Sequence, residues 1–195
     1  MHKTMVATLA LCLSASCADS GPDPLLTVAG HLAPEAGVAL ADESRMVLWW
    51  QVRTTTETSL GTSVRYRIYH FGDGVSSQDY FAVDLFQPPP AEAISETSIG
   101  MAFVISIKPE LEVVEGWVDV PEDREQEREF LRNVHGVAQS QRVFYRPPGA
   151  PAVMPAMPEG YSCGQCVDGQ FLQTSCDTLT VTVNSDPRFG CKDVF

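Results

Sequence analysis

The residues here whose type and spacing could do chemistry are four cysteines near the C-terminus: Cys163, Cys166, Cys176 and Cys191. Cys163-Gly-Gln-Cys166 has the spacing of a redox dithiol. In such a site the first cysteine is held as a thiolate at the N-terminus of a helix. Here the pair follows a proline-rich stretch and runs into Val167-Asp168-Gly169, which is turn chemistry. The two further cysteines have no place in a dithiol. Four thiolates could hold zinc, but ribbon sites pair two tight knuckles, and only the first pair is tight. An even, clustered set in an exported chain reads as two disulfides. A bond within the pair would close a very small ring. Each of Cys163 and Cys166 is therefore expected to bond one of Cys176 and Cys191, nested or crossed.

Other chemistries find less support. Nucleophilic hydrolysis would need a Gly-x-Ser-x-Gly elbow, which is absent, and His31, His70 and His135 lie far apart in sequence. His70 could complete a triad in space, but a strand-end histidine bonded to backbone accounts for it. Two of the many acids could approach as a glycosidase pair does. Gly72-Asp73-Gly74 with Asp79 could offer oxygens to calcium, yet it lacks a calcium-loop register and turn formation explains it. No metal or cofactor is expected. Trp49 and Trp50 occupy opposite faces of one strand, so one ring could stack on a glycan or protein partner, or a second face of the sheet is covered. The second alternative is favoured.

Charge and the N-terminus set the compartment. The net charge is −12 and the isoelectric point about 4.6, which repels nucleic acid and anionic lipid alike. Lys3 precedes an apolar run, Met5 to Leu13, followed by the small residues Ser14, Ala15 and Ser16. That is a secretory signal, too short to span a bilayer, which takes roughly 20 helical residues. Ser14-Ala15-Ser16-Cys17 resembles the lipobox of bacterial lipoproteins, whose cysteine is acylated and becomes the new N-terminus. Leu13 stands four residues before the cysteine, where that motif prefers three. Cleavage after Ala18, giving a soluble secreted or periplasmic protein, is the alternative.

The elements that must position these residues are mostly strands. Period-two alternation runs through Met46 to Arg53, Val64 to His70 and Tyr80 to Phe86, with a turn expected at Gly72-Asp73-Gly74. Pro88-Pro89-Pro90 ends the third strand, because proline lacks a ladder donor. Ile99 to Ile107 is almost wholly apolar and predicts a strand covered on both faces. Leu25 to Leu32, Glu112 to Val120 with a bulge at Gly116, and Val143 to Tyr145 read as further strands. In the last strand Leu179, Val181 and Val183 face in, and the intervening threonines face out. Pro121 to Val134 has proline at an N1-like place, acids in its first turn and Gly136 just beyond, predicting one surface helix. Pro147 to Gly160 reads as an extended connector lying on the sheet.

The word Gly160-Tyr-Ser-Cys-Gly-Gln-Cys-Val167 carries a resemblance. It is joined by the Trp49 strand, the Phe81 to Pro90 stretch followed by Ala91-Glu92-Ala93, and the lipobox-like start. Together these resemble uncharacterised exported lipoproteins of myxobacteria. The resemblance covers most of residues 17–195 and implies compartment and architecture; it carries no activity and no catalytic residues.

The expected organisation is a signal peptide at 1–16, a tether at 17–24, a β-sandwich of immunoglobulin-like or transthyretin-like type at 25–146, the connector at 147–160, and a disulfide-stapled appendage at 161–195 packed on that domain. The function expected is that of a non-catalytic envelope lipoprotein, membrane-anchored through Cys17, that binds a partner or supports structure. An exported enzyme, thiol oxidoreductase or hydrolase, is the alternative.

Overall fold

The structure, a computed structural model, describes residues 21–119, 121, 123–151, 157–167 and 170–184, with Arg124 and Cys166 as backbone only. It is mainly β, as the alternation requires. The strands are β1 (Leu26–Pro34), β2 (Glu43–Thr58), β3 (Gly61–Ser77), β4 (Tyr80–Leu85), β5 (Gly100–Ile107), β6 (Gly116–Val118), β7 (Val134–Val137), β8 (Arg142–Arg146), β9 (Gly160–Val167), β10 (Gln170–Thr174) and β11 (Leu179–Val183). A single α-helix, α1 (Arg124–Leu131), lies between β6 and β7 among the described residues. The expected signal segment and Cys17 lie outside the described residues.

The strands form one sheet in the order β10-β9-β8-β5-β2-β3-β4-β1-β11-β7. β7 also pairs with β5, Val137 opposite Ile105, so the ladder returns on itself. The two faces of the sandwich are therefore one sheet wrapped round a common core. β5 makes this possible by dividing its edge: residues 100–102 pair with β8 and residues 105–107 with β7. β1 and β11 run parallel, Gly30 opposite Leu179; Gly30 is required there because a Cβ would overlap the Leu179 carbonyl.

Two cores lie on the two faces of β2 and β5. The inner one gathers Met46, Leu48 and Trp50 with Val104, Phe81, Val83, Leu179 and Val181. The outer one gathers Val47 and Trp49 with Phe103, Ile105, Ile107 and Phe144. It is roofed by Phe130 and Leu131 of α1, Val118 of β6, and Leu111 and Val113. Every residue of β5 is buried, as an unbroken apolar run predicts for a strand with no solvent face. Trp49 stacks on Phe130 at 5.6 Å, so the second covered face is real and neither ring of the Trp49-Trp50 pair is exposed.

Several local expectations are corrected. Gly72-Asp73-Gly74 is not a turn; β3 runs through it. Between Val47 and Trp49 of β2 the register slips by one residue, placing a bulge at Phe71 and Gly72. Gly72 has φ +96°, a conformation L side chains rarely adopt, and a Cβ on Gly74 would strike the Ala82 carbonyl. The hairpin turn comes instead between β3 and β4, where Gln78 takes φ 58°. The helix starts later than its proline: Asp123 is the N-cap, its carboxylate accepting from the amides of Glu125 and Gln126. Its end is earlier too, since residues 134–137 are strand β7. The 112–120 strand shrinks to Gly116–Val118, with φ +139° at Gly116.

The described residues of the connector lie on the sheet. Arg146 donates to the carbonyls of Ala150 and Pro158, and Met157 is buried. The cysteine-rich segment is woven in more deeply than packing on the domain implies. β9 adds to β8, and β11 is a ring strand between β1 and β7. Leu179, Val181 and Val183 point inward as expected.

Candidate functional site

Cys163 sits on β9 between Val143 of β8 and Thr174 of β10, and is bonded to Cys176, Cα–Cα 5.2 Å. Cys176 belongs to the β10–β11 connection, and its carbonyl accepts from the amide of Ala29 on β1. The bond therefore ties the β8–β9–β10 flap to the ring. One bond thus joins a member of the CxxC pair to a later cysteine, as expected; Cys191 lies outside the described residues.

The strand geometry also bears on the redox alternative. Cys163 and Cys166 are three residues apart on an extended strand, which separates their Cα atoms by about 10 Å. A disulfide needs less than about 7 Å. The rest of the word has structural work as well. Tyr161 packs on Tyr145 at 4.8 Å and donates to the Gln87 carbonyl, its hydroxyl pushed to a raised pKa by burial. Gly164 leaves room for Phe171, whose ring a Cβ would approach to 2.4 Å.

The three histidines among the described residues stand on three strands. His31 on β1 is exposed beside Asp79, 3.7 Å away, in the turn after β3. Asp79 and Asp73 thus belong to different surroundings, since Asp73 pairs with Arg45 at 2.9 Å. His135 on β7 is part-buried, and burial, with Lys108 nearby, lowers its pKa. It borders a cavity of about 290 Å³ at the end of the ring, walled by Leu32, Val38 and Leu40. His70 is within β3, not at its end, and is almost wholly buried. The Leu48 backbone beside its ring favours the protonated form, against the larger effect of burial.

His70 marks the second concavity, and the edge of β3 explains why it exists. Residues 68–70 of that edge pair with β6, and residues 75–77 with β4. Residues 71–74, which carry the bulge, are flanked by neither. A cleft of about 260 Å³ opens at this split. It is lined by His70, Phe71 and Asp73 of β3, by Asp84, Leu85 and Phe86, and by Val113 and Glu115. Arg45 braces it, donating to Asp73 and to the carbonyls of Leu111 and Val113. Asp84 accepts from the Thr27 hydroxyl at 2.6 Å.

Compared with protein-family models, with curated proteins and with solved structures, the chain matches none. Function has to be argued from the site itself.

Burial lowers the pKa of His70 below its ordinary value, Arg45 acting in the same sense and Asp73 against them. Its imidazole is therefore neutral near pH 7. Nδ1 is buried without a hydrogen-bond partner. Among the described residues, no group of three or more His, Cys, Asp or Glu is arranged to hold a metal ion. The carboxylates of the cleft surround a space without converging on a point.

The sequence singled out His70 as a triad candidate and Asp73 as turn chemistry or a calcium ligand, but it did not join them: Asp84 and Glu115 stand on separate elements with no spacing rule to connect them. The exposed aromatic was also elsewhere than on β2. Trp117 of β6 is part-exposed, with the Arg67 guanidinium 3.8 Å over its ring and Tyr69 edge-on at 5.2 Å.

Proposed function

We propose that this chain is an exported protein, anchored in a bacterial cell envelope through a lipid on Cys17, that binds a partner or ligand and does not catalyse. The observation that carries the reading is the Cys163–Cys176 bond. It commits the first cysteine of the one chemically suggestive motif to a cross-link, and cross-links of this kind persist in oxidising compartments. The resemblance of residues 14–17 to a lipobox supports the anchor. The resemblance to exported myxobacterial lipoproteins supports the compartment. The Trp117, Tyr69 and Arg67 surface is of the type that contacts a protein or glycan partner.

The test is made in a bacterial host. Wild type should partition with membranes and carry a lipid on Cys17, whereas Cys17→Ala should lack the lipid and change in processing. Mature protein that begins at Asp19 without a lipid would refute the anchor.

A further inference from the structure

We infer that the open edge of β3 over residues 62–66 is a docking site for an extended peptide, added as a further strand, whose side chains alternate between acidic and apolar. This names the partner chemistry of the binding module proposed above, and rests on that reading.

The edge exists because β2 and β3 outrun their neighbours. β5 pairs with β2 only at residues 45–50, and β6 with β3 only at residues 68–70. Beyond them, residues 53–58 and 61–66 form a two-stranded ribbon whose tip carries Leu60, 98 % exposed. Hydrogen bonds fix which way its backbone points. The amides of Arg53 and Thr55 donate outward from β2, to Ser95 Oγ and to a Glu96 carboxylate oxygen, each at 3.0 Å. Arg53 faces Tyr66 and Thr55 faces Val64, so these are the pairs that do not bond each other. Val64 and Tyr66 therefore aim their own N–H and C=O groups outward from β3, and Thr62 follows by the period of two. The 95–96 loop covers the β2 edge of the ribbon. On the β3 edge, no group among the described residues bonds the amides of Val64 and Tyr66. Pro121, which lacks an N–H, cannot carry β6 further along it.

Side chains set the class of partner. Arg65 and Arg67 stand on one face of the ribbon, and among the described residues neither is in an ion pair. Residues 53–67 hold three arginines and one glutamate, in a chain whose net charge is −12. Arg67 lies over the Trp117 ring of β6 at 3.8 Å, which holds its guanidinium beside the edge. On the other face Val64 and Tyr66 are 41 % and 44 % exposed. A strand laid along residues 62–66 thus meets arginine on one face and apolar surface on the other. Carboxylates and branched apolar residues in alternation answer both. A second copy pairing through the same edge would crowd four arginines onto one face, which opposes self-association there. Main-chain bonds supply the affinity and the alternating side chains the selectivity.

The probe is the capped octapeptide Thr-Val-Glu-Val-Glu-Val-Glu-Thr, titrated into the full chain with its disulfide intact and followed by calorimetry and amide hydrogen exchange. Saturable binding with a dissociation constant of about 0.1 mM is expected, since ordering an extended peptide opposes association. Exchange at the Val64 and Tyr66 amides should slow by about tenfold or more on saturation, while that of Arg65, already in the β2–β3 ladder, changes little. A peptide with lysine for each glutamate should bind about tenfold more weakly or less. Arg65 is exposed, and Arg65→Gln should weaken the acidic peptide several-fold. Val64→Pro removes one outward donor and no β2–β3 bond, and should also weaken it. If that variant disturbs the ribbon, N-methylation of the peptide tests the ladder with the protein unchanged: at the valines, which face the edge, it should abolish binding, and at the glutamates it should not. Four outcomes overturn the inference: equal affinity for the lysine peptide, equal affinity for the valine-methylated peptide, no saturation with exchange at Val64 and Tyr66 unchanged, or slow exchange at both in peptide-free protein that dimerises, which makes the occupant a second copy. Each leaves the lipid on Cys17 and membrane partition untouched, so failure here is distinguishable from failure of the envelope reading.

Discussion

The indole N–H of Trp50 on β2 donates to the backbone carbonyl of Phe71 on β3 at 2.9 Å, inside the inner core. Phe71 lies in the bulge, where the regular ladder lapses. A carbonyl buried there without a partner would cost roughly 1–3 kcal/mol. The side chain of the neighbouring strand answers it, so the bulge, and the cleft it opens, depend on one indole.

Replacing that indole should show two separable losses. Trp50→Phe removes the donor but keeps a ring, and is expected to cost about 1–3 kcal/mol in urea unfolding. Trp50→Ala also leaves a cavity, for about 3–5 kcal/mol in all. A loss under about 1 kcal/mol for the alanine variant would contradict the inner placement of Trp50.

Gly100 is the second support of that ring. A Cβ at Gly100 would stand 2.9 Å from Trp50 Cζ3. Gly100→Ala should therefore destabilise the protein by about 1–3 kcal/mol through overpacking. Gly21→Ala, with nothing within 4 Å, serves as the control and should move the midpoint little. Equal midpoints for the two variants would refute the close approach.

Stability should fall on acidification through His70, which is buried, and His135, which is part-buried. The folded pKa values of His70 and His135 are lowered, first of all by burial. Below the unfolded value of about 6.5 the unfolded chain binds more protons, so protonation pulls the equilibrium toward it. This contribution is present above pH 6.5 and lost as the pH falls toward the folded values. The urea midpoint should decline from pH 7 to pH 5, and His70→Gln should flatten the decline. An unchanged slope in that variant would assign it to other groups.

The cysteine pairing is now constrained. With Cys163 bonded to Cys176, two disulfides among the four cysteines require Cys166 with Cys191, a crossed arrangement. Peptide mapping without reductant should find both pairs; free Cys166 and Cys191 thiols would refute the second. The observed bond spans 13 residues and should contribute about 3 kcal/mol by restricting the unfolded chain. Because β11 is a ring strand, Cys163→Ala with Cys176→Ala should lower the midpoint of the whole domain, not of the C-terminal segment alone.

The sequence by itself determined the mainly-β class, the doubly covered β5, the inward faces of β2 and β11, and a cysteine set able to cross-link. Each of these is written in local periodicity or residue type, because side chains alternate along a strand wherever it is placed. It did not reveal β7 and β9. Val134–Val137 is short and carries His135 and Gly136 within it, and β9 holds two cysteines and two glycines where branched residues would mark a strand. Their pairing comes from neighbours distant in sequence. The same holds for Gly72 and Gly74, whose type fits a turn as well as a bulge; only the approach of Leu85 and Ala82 from β4 decides between them. Ring closure through β5 and β7, and the placing of Asp84 and Glu115 on one cleft with His70, are likewise decisions of the tertiary structure. Long-range pairing brings together groups whose spacing along the chain carries no trace of their contact.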